Sequence, residues 1–467
     1  MKVVCGLSWR FLYYRSDGLD QYLRIICRRY EANQASAANR SDANKNVANN
    51  IVACYTRVTM KRGAGSWVSG ERFWNRQKEM ALFLEYLRDE ASIQLTGQRR
   101  IGKTSLVREA ARRLEGEFVC VYVDVQSCGD GRDAVAELAA ATQPLRSVWN
   151  RVTGWAASFG GKVSEVSVHE IKIALRAAVA EADWRTRGEQ LFDLITAGEQ
   201  PVVVIIDELP ILVNRLLKGD DYTITPVRLR QTDELLSWLR HISLKYRGKL
   251  RLVVTGSIGL EPVVHQAGLS ATLNHLHAFD LGPWTRETAE ACIESLASEY
   301  DVPMAAGVTR AMVDEIGICI PHHVQVFFDN IYEVFKIKGL TQITVDDVTE
   351  VYKHKMLGAR GHAELSHLEE RLKLVLGVQL QGLAIDLLTE AAMVTGGLSP
   401  LSARFLAQDR LEPAGDPILR GILEILEHDG YLGRRGESYV FVSKLQKDWW
   451  VSRFSFSYQP LSERRAR

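Results

Sequence analysis

Residues 97–105 hold the first side chains whose types and spacing could do chemistry. Gly97 and Gly102-Lys103-Thr104 fit the pattern G-x-x-x-x-G-K-[ST] of a phosphate-binding loop. Glycines allow a tight turn and bring backbone N–H groups against phosphate oxygens. Helical spacing of Leu106, Ala110, Ala111 and Leu114 predicts a helix from about Lys103, whose N-terminus adds partial positive charge for the same anion. The candidate nucleotide ligands are therefore Gly97, Gln98, Arg99, Arg100, Ile101, Gly102, Lys103, Thr104 and Ser105. Lys103 would reach the β- and γ-phosphates, and the Thr104 hydroxyl would bind Mg²⁺. The plain alternative is a glycine-bearing surface turn. The apolar run with Ile93 and Leu95 before it and the helix after it weigh against that.

A second group lies at Asp207 and Glu208, which end the run Val202-Val-Val-Ile-Ile206. Consecutive β-branched residues predict a strand buried on both faces, and open α/β sheets place ligands at such carboxyl ends. Asp207 would help hold the metal, and Glu208 would polarise the attacking water. Leu252-Val-Val-Thr-Gly-Ser257 predicts another strand ending in hydroxyls; Thr255 and Ser257 could contact the γ-phosphate or the water, or simply form a Gly-Ser turn. His322 and His323 are adjacent, so on a helix they face different ways. They are expected to be solvated or capping rather than paired on a metal.

These residues need a scaffold. Strands are expected near 93–96, 118–125, 202–206 and 252–255, with helices between them: a parallel sheet with crossover connections. Residues 150–176, with Gly160-Gly161 and alternating valines, suggest a hairpin insertion. After Pro283 helices are expected over 285–299, 307–317, 321–337 and 344–354. Residues 378–450 have the pattern of a winged helix, with Ser399-Pro400 and Asp416-Pro417 opening its second and third helices. Arg434 and Arg435 sit at the wing tip, where they could touch DNA phosphates. The third helix carries Glu424 and Glu427 with Asp429 after it, and an acidic helix is a poor partner for a phosphate-lined groove. DNA is therefore a possible but not a favoured partner.

The composition narrows the class. A net charge of +1 provides no global field for nucleic acid or membrane. Seven scattered cysteines without a C-x-x-C pair argue against a disulfide framework or zinc site and suit a reducing cytoplasm. No stretch is expected to span a membrane. Residues 31–50 hold six asparagines and one aliphatic side chain larger than alanine, Val47. Too little apolar area is available there to offset ordering entropy, so residues 1–59 are expected to be a poorly ordered extension, with Met60 an alternative start.

Phe73-x-Asn-Arg-x-x-Glu79, Gly97 to Ser105, Val203 to Pro210, Thr255-Gly-Ser-Ile-Gly-Leu260 and Gly317…Pro321-x-x-x-Gln325 together resemble the archaeal-type AAA ATPases, which sit near the origin-recognition and STAND ATPases. The resemblance covers about Ser66 to Phe454. It implies an α/β P-loop NTPase (AAA+-like): a sheet domain over 60–283, a helical lid over 284–360 and a C-terminal winged-helix domain over 361–467. It also implies the sheet order of the additional-strand P-loop class, with the catalytic strand beside the P-loop strand. Asp207-Glu208 match the family's Walker B motif, Thr255 to Ser257 its sensor 1 region, and Pro321 its nucleotide-contacting lid turn. The implied activity is ATP hydrolysis with Mg²⁺, in a switch or remodeller that binds an unidentified protein or itself, or else in an ATP-gated DNA-binding protein. Two features depart from the pattern. About a hundred residues separate Lys103 from Asp207, and no arginine has the context of a finger.

Overall fold

Five short runs, each apolar on at least one face, make one all-parallel sheet. They are β1 (Ser92–Thr96), β2 (Val119–Asp124), β3 (Val202–Asp207), β4 (Leu250–Thr255) and β5 (Leu276–Asp280), in the order β2-β3-β4-β1-β5. The computed structural model describes residues 62, 67–158, 183–359, 361, 365–408, 410–411 and 416–464. All fall in the second of the chain's two units, 59–467; the first is 1–58. The extension expected over 1–59 and most of the hairpin expected over 150–176 lie outside the described residues. The start of that hairpin is instead helical, as part of Arg146–Ala157.

The sheet order corrects one expectation. β4, not the P-loop strand β1, neighbours β3 on that side, with Val202 opposite Leu250 and Ile206 opposite Val254; β1 then pairs with β4 from Ile93–Val253 to Leu95–Thr255. The reason is burial. β3 and β4 are buried along their whole length, so both require neighbours on each side, and β4 fills the slot between β3 and β1. β5 is an edge strand that the sequence reading missed. Only its Phe279 is buried, so it lacks the continuous apolar run of a central strand.

Helices cover both faces, as a parallel sheet needs. On one face α1 (Gln77–Arg88) and α2 (Lys103–Arg113) pack Phe83 and Leu106 against Ile93, Val203, Ile205 and Val253. On the other, Val204, Ile206 and Leu252 meet α3 (Gly131–Ala141), α4 (Arg146–Ala157), α5 (Trp184–Ile195), α6 (Leu209–Lys218), α7 (Pro226–Lys245) and α8 (Leu260–His265). Local chemistry sets the helix starts. The Asp130 carboxylate accepts from the N–H groups of Arg132 and Asp133, and Thr225 caps α7 with Pro226 in its first turn.

Helices α9 (Arg286–Glu299), α10 (Val308–Ile316), α11 (Pro321–Lys338) and α12 (Val345–Val351) follow. Next come α13 (His367–Met393), α14 (Pro400–Gln408), α15 (Asp416–His428), the two-stranded wing β6 (Leu432–Arg435) and β7 (Ser438–Phe441), and α16 (Lys444–Phe454). Leu398 adds a bridge to Tyr439 at the wing. Lid and winged helix share one apolar core, with Phe327 and Phe328 of α11, Leu387 of α13 and Trp449 and Trp450 of α16 all buried in it.

By length and composition α13 could cross a membrane, contrary to expectation. Its backbone breaks at Gly377, where φ is +79° and a Cβ would lie 2.9 Å from that of Tyr222. Half of its apolar window is buried inside the protein.

Two glycines test this packing in opposite directions. A Cβ on Gly188 in α5 would come 2.4 Å from the Trp238 ring, whereas one on Gly154 in α4 would meet nothing within 4 Å. Gly188→Ala should lose about 1–3 kcal/mol through overpacking. Gly154→Ala should gain about 0.5–1 kcal/mol through lost unfolded-state freedom. Thermal unfolding should show the melting temperature moving down for the first and up for the second.

Candidate functional site

The P-loop joins β1 to α2 through a backbone that alanine could not follow. Gly97 has φ +132°, and a Cβ there would lie 2.5 Å from the carbonyl oxygen of Leu281. The buried Arg76 braces this turn from outside, donating to the carbonyls of Ile101 at 3.3 Å and Gly282 at 2.7 Å. α2 begins at Lys103, so its N-terminus faces the loop. The Lys103 ammonium donates to the carbonyls of Gly97 at 2.6 Å and Gln98 at 3.0 Å. Burial, and then the positive charge of Arg371, push its pKa down to about 8.

The carboxylates arrive from β3. Asp207 is buried; its Oδ2 accepts from the Thr104 hydroxyl at 3.0 Å and the Tyr122 hydroxyl at 2.6 Å. The Arg108 guanidinium lies 3.8 Å from the Tyr122 ring centroid and 4.4 Å from that of Trp67. Glu208 has a left-handed backbone, φ 60°, at the start of α6. Such a conformation costs on the order of 1–3 kcal/mol and persists only where the surroundings hold it. Ser257 is one such hold. Its backbone N–H donates to Glu208 Oε2 at 2.7 Å and its hydroxyl at 2.9 Å. Burial raises the Glu208 carboxyl above the usual range, against the pull of those two bonds.

These groups open onto a cleft of about 920 Å³. Arg99, Arg100, Ile101, Gly102, Lys103, Thr104, Ser105, Asp207, Glu208, Ser257 and Pro321 all line it, as the sequence led one to expect. Gly97 and Gln98 serve from behind, through the carbonyls that hold Lys103. Gln98 also reaches the winged helix, donating from Nε2 to the carbonyl of Gly430 at 3.2 Å. The Ser105 hydroxyl is engaged by the N–H of Val68 at 3.1 Å.

Three expectations change. Thr255 is not on the cleft. It is buried on a separate cavity of about 20 Å³ beside His428 and Asp429, its hydroxyl without a partner among the described residues. β4 ends at Thr255, and the chain turns at Gly256, so Ser257 lies off the strand and it alone of the two meets Glu208. His323 is not solvated; it is buried, and burial first, then His322, His367 and Arg100, lower its pKa to about 3. His322 meets the Arg100 guanidinium instead. Among the described residues no cluster of histidine, cysteine and carboxylate could hold a metal without exogenous ligands. The Thr104 hydroxyl beside the Asp207 carboxylate is nonetheless the oxygen pair that a phosphate-bound Mg²⁺ takes from a protein.

The sequence reading missed the aromatic lining. Trp67, Phe73, Trp74 and Trp284 line the cleft, with Val68 beside them in sequence, and offer rings against which a base could stack. Arg371 was also missed; it lines the cleft from α13, some 268 positions after Lys103.

No family model and no curated protein matches the chain. Among solved structures it is similar to the Walker-type ATPase Paby2304 of Pyrococcus abyssi, at TM-score 0.55 and 15% identity, over 82% of this chain and 97% of that one. It is less similar to the Aeropyrum pernix ORC2 protein in its ADPNP–ADP complexes, at TM-score 0.48 and 14% identity, over 85% and 96%. The Thermotoga maritima RuvB Holliday junction branch migration motor follows at TM-score 0.41 and 15% identity, over 83% and 96%.

Lys103→Ala removes the side-chain cation closest to the loop's carbonyl turn. Its ATP affinity, measured by calorimetry, should fall at least about tenfold, or 1.4 kcal/mol. Unchanged affinity would remove the phosphate assignment from this loop.

Proposed function

The chain has the fold of the AAA+ P-loop ATPases, and from that premise we propose that it is a Mg²⁺-dependent ATP hydrolase working as a nucleotide-controlled switch. The observation that carries this reading is the pairing of Glu208 with Ser257 at the edge of the cleft that holds Lys103. A pure binder would not need a carboxylate held in strained backbone beside its phosphate site.

The roles follow from the contacts. The base of ATP would lie against Trp67, Phe73 and Trp74, and its phosphates against the N-terminus of α2. Lys103 would exchange the carbonyls of Gly97 and Gln98 for phosphate oxygens. Thr104 and Asp207 would hold Mg²⁺, which when bound neutralises phosphate charge. Tyr122 and Thr104 keep Asp207 turned toward the loop. Ser257 occupies Glu208 Oε2, and Oε1 accepts no hydrogen bond among the described residues. That oxygen is left to orient a water and take its proton. The raised Glu208 carboxyl makes it a better base than a solvated glutamate.

The four described cysteines form no disulfide, which suits a reducing cytoplasm. The DNA-gated alternative has less support. Arg434 of the wing is tied to Glu427 at 3.2 Å and lies 5.2 Å from the centroid of the Tyr439 ring.

Glu208→Gln should bind ATP and Mg²⁺ nearly as the wild type does, yet turn over ~10²–10⁴ more slowly. Ser257→Ala keeps the backbone bond and should lose about tenfold to a hundredfold in rate, the worth of one hydrogen bond to a charged group. Single-turnover hydrolysis measures both. A wild-type rate in Glu208→Gln would move the water elsewhere. Duplex DNA binding with a steep salt dependence that ATP alters would favour the gated alternative.

A further inference from the structure

Arg108 has no role in the reaction as described, yet its surroundings are specific. It lies half-buried on α2. Its guanidinium carbon is 3.8 Å from the Tyr122 ring centroid and 4.4 Å from that of Trp67. Its Nε is buried without a hydrogen-bond partner among the described residues. The two rings are therefore a main part of what holds this cation.

Tyr122 carries the contact onward. One face of its ring meets the cation, and its hydroxyl donates to Asp207 Oδ2 at 2.6 Å. The same oxygen accepts from the Thr104 hydroxyl at 3.0 Å, and Oδ1 accepts from the backbone N–H of Glu208 at 3.1 Å. Thr104 would also serve the metal, so Tyr122 is the side-chain donor on Asp207 with no second duty. A cation over a phenol ring draws electron density from it and strengthens the O–H as a donor. Neither Tyr122 nor Arg108 lines the cleft, so any effect they have on bound nucleotide passes through other side chains.

The far end of this row is fixed too. The N–H of Val68 donates to the Ser105 hydroxyl at 3.1 Å, and that of Gly70 to Glu109 Oε2 at 2.9 Å. Glu109 is buried on α2. Burial alone would raise its carboxyl, but bonds from Arg112, the Gly70 N–H and Arg113 outweigh that and hold its pKa down to about 2. The anchor is therefore charged at any working pH. Trp67 directly precedes the pinned Val68, so its ring is kept against Arg108. Trp67, Arg108, Tyr122 and Asp207 thus form one continuous row, from the aromatic lining of the cleft to the carboxylate beside Thr104.

We propose that Arg108 and Tyr122 are positioning residues for the Mg²⁺ site: Trp67 seats Arg108 on the Tyr122 ring, and the Tyr122 hydroxyl aims Asp207 at the metal. The proposal rests on the nucleotide and Mg²⁺ reading above. The loop and Lys103 hold phosphates whether or not metal is present. The row acts on Asp207 alone, so it governs the part of nucleotide affinity that Mg²⁺ adds. Hydrogen-bond partners of a metal-binding carboxylate typically account for about 10- to 100-fold of metal affinity.

The test is calorimetry of ATP binding to the full chain, across a Mg²⁺ titration and again in EDTA. Tyr122→Phe keeps the ring and removes the donor. The Mg²⁺ concentration giving half of its effect on ATP binding should rise about 10- to 100-fold, while affinity in EDTA changes less than about twofold. Arg108→Met removes the charge and keeps an unbranched chain; its Mg²⁺ requirement should rise about three- to tenfold. The double variant should be no worse than Tyr122→Phe, because Arg108 acts through that hydroxyl. A merely structural role would weaken ATP equally with and without Mg²⁺, and the two losses would add. Either of those results, or an unchanged Mg²⁺ requirement in Tyr122→Phe, overturns the proposal and leaves the nucleotide reading intact. A wild-type chain that binds no ATP at any Mg²⁺ concentration overturns the nucleotide reading, and the proposal falls with it.

Discussion

A buried ammonium has to be met by negative charge, and the architecture of this protein is arranged around that requirement. Lys103 sits at the mouth of α2 with two carbonyl oxygens as its neutral partners. Removing a charge from water costs several kcal/mol, and carbonyls recover only part of it. The strain shows as a pKa pushed down to about 8, and Arg371 adds to it. Everything that converges on the cleft either holds this cation in place or supplies the anion it lacks. The Gly97 turn permits the carbonyl grip, Arg76 braces the loop, and Asp207 and Glu208 stand at the end of β3, one strand beyond β4.

That arrangement explains why β4 lies between β1 and β3. If the two strands were adjacent, the loop after β3 would run directly into the P-loop. With β4 interposed, the turn at Gly256 and Ser257 reaches Glu208 from the side and fixes one of its oxygens. α6 then carries the consequence outward. Asn214 donates to the carbonyl of Leu374 at 2.8 Å, and Lys218 to that of Val375. Both carbonyls end the first half of α13, whose other end bears Arg371 at the cleft. α6, which starts at Glu208, thus holds the part of α13 that lines the cleft.

What the sequence made legible was local. Gly97 to Thr104 lie within one turn, and their chemistry needs no distant partner. Asp207 and Glu208 follow an unbroken β-branched run, so strand, burial and carboxyl end are all read from adjacent residues. The winged helix announced itself through Ser399-Pro400 and Asp416-Pro417, which open helices wherever they occur. Features set by long-range contact were not legible. β5 buries only Phe279 and has no pattern. Strand order depends on which buried strand needs two neighbours, which residue type alone does not state. Thr255 and Ser257 looked equivalent until the strand ended between them. His323 was expected to be solvated because adjacent helix positions face apart, but the side of α11 it occupies is the side packed inward. Arg371 stands in a long apolar helix whose sequence does not mark it, and only the placement of α13 at the cleft brings it there.

The wing follows the same logic from the opposite side. Arg434 is drawn onto Glu427 and Tyr439 within its own region, so one of the two wing-tip cations already has a counter-charge. Meanwhile Leu401 and Phe405, one turn apart on α14, and Ile418 at the start of α15 are exposed. A phosphate-seeking surface would reverse this distribution, keeping its arginines unpaired and its apolar side chains inside. Asp429 of this region is instead buried against Arg371, which lines the cleft. Part of the region's charge is thus turned inward, toward the cleft.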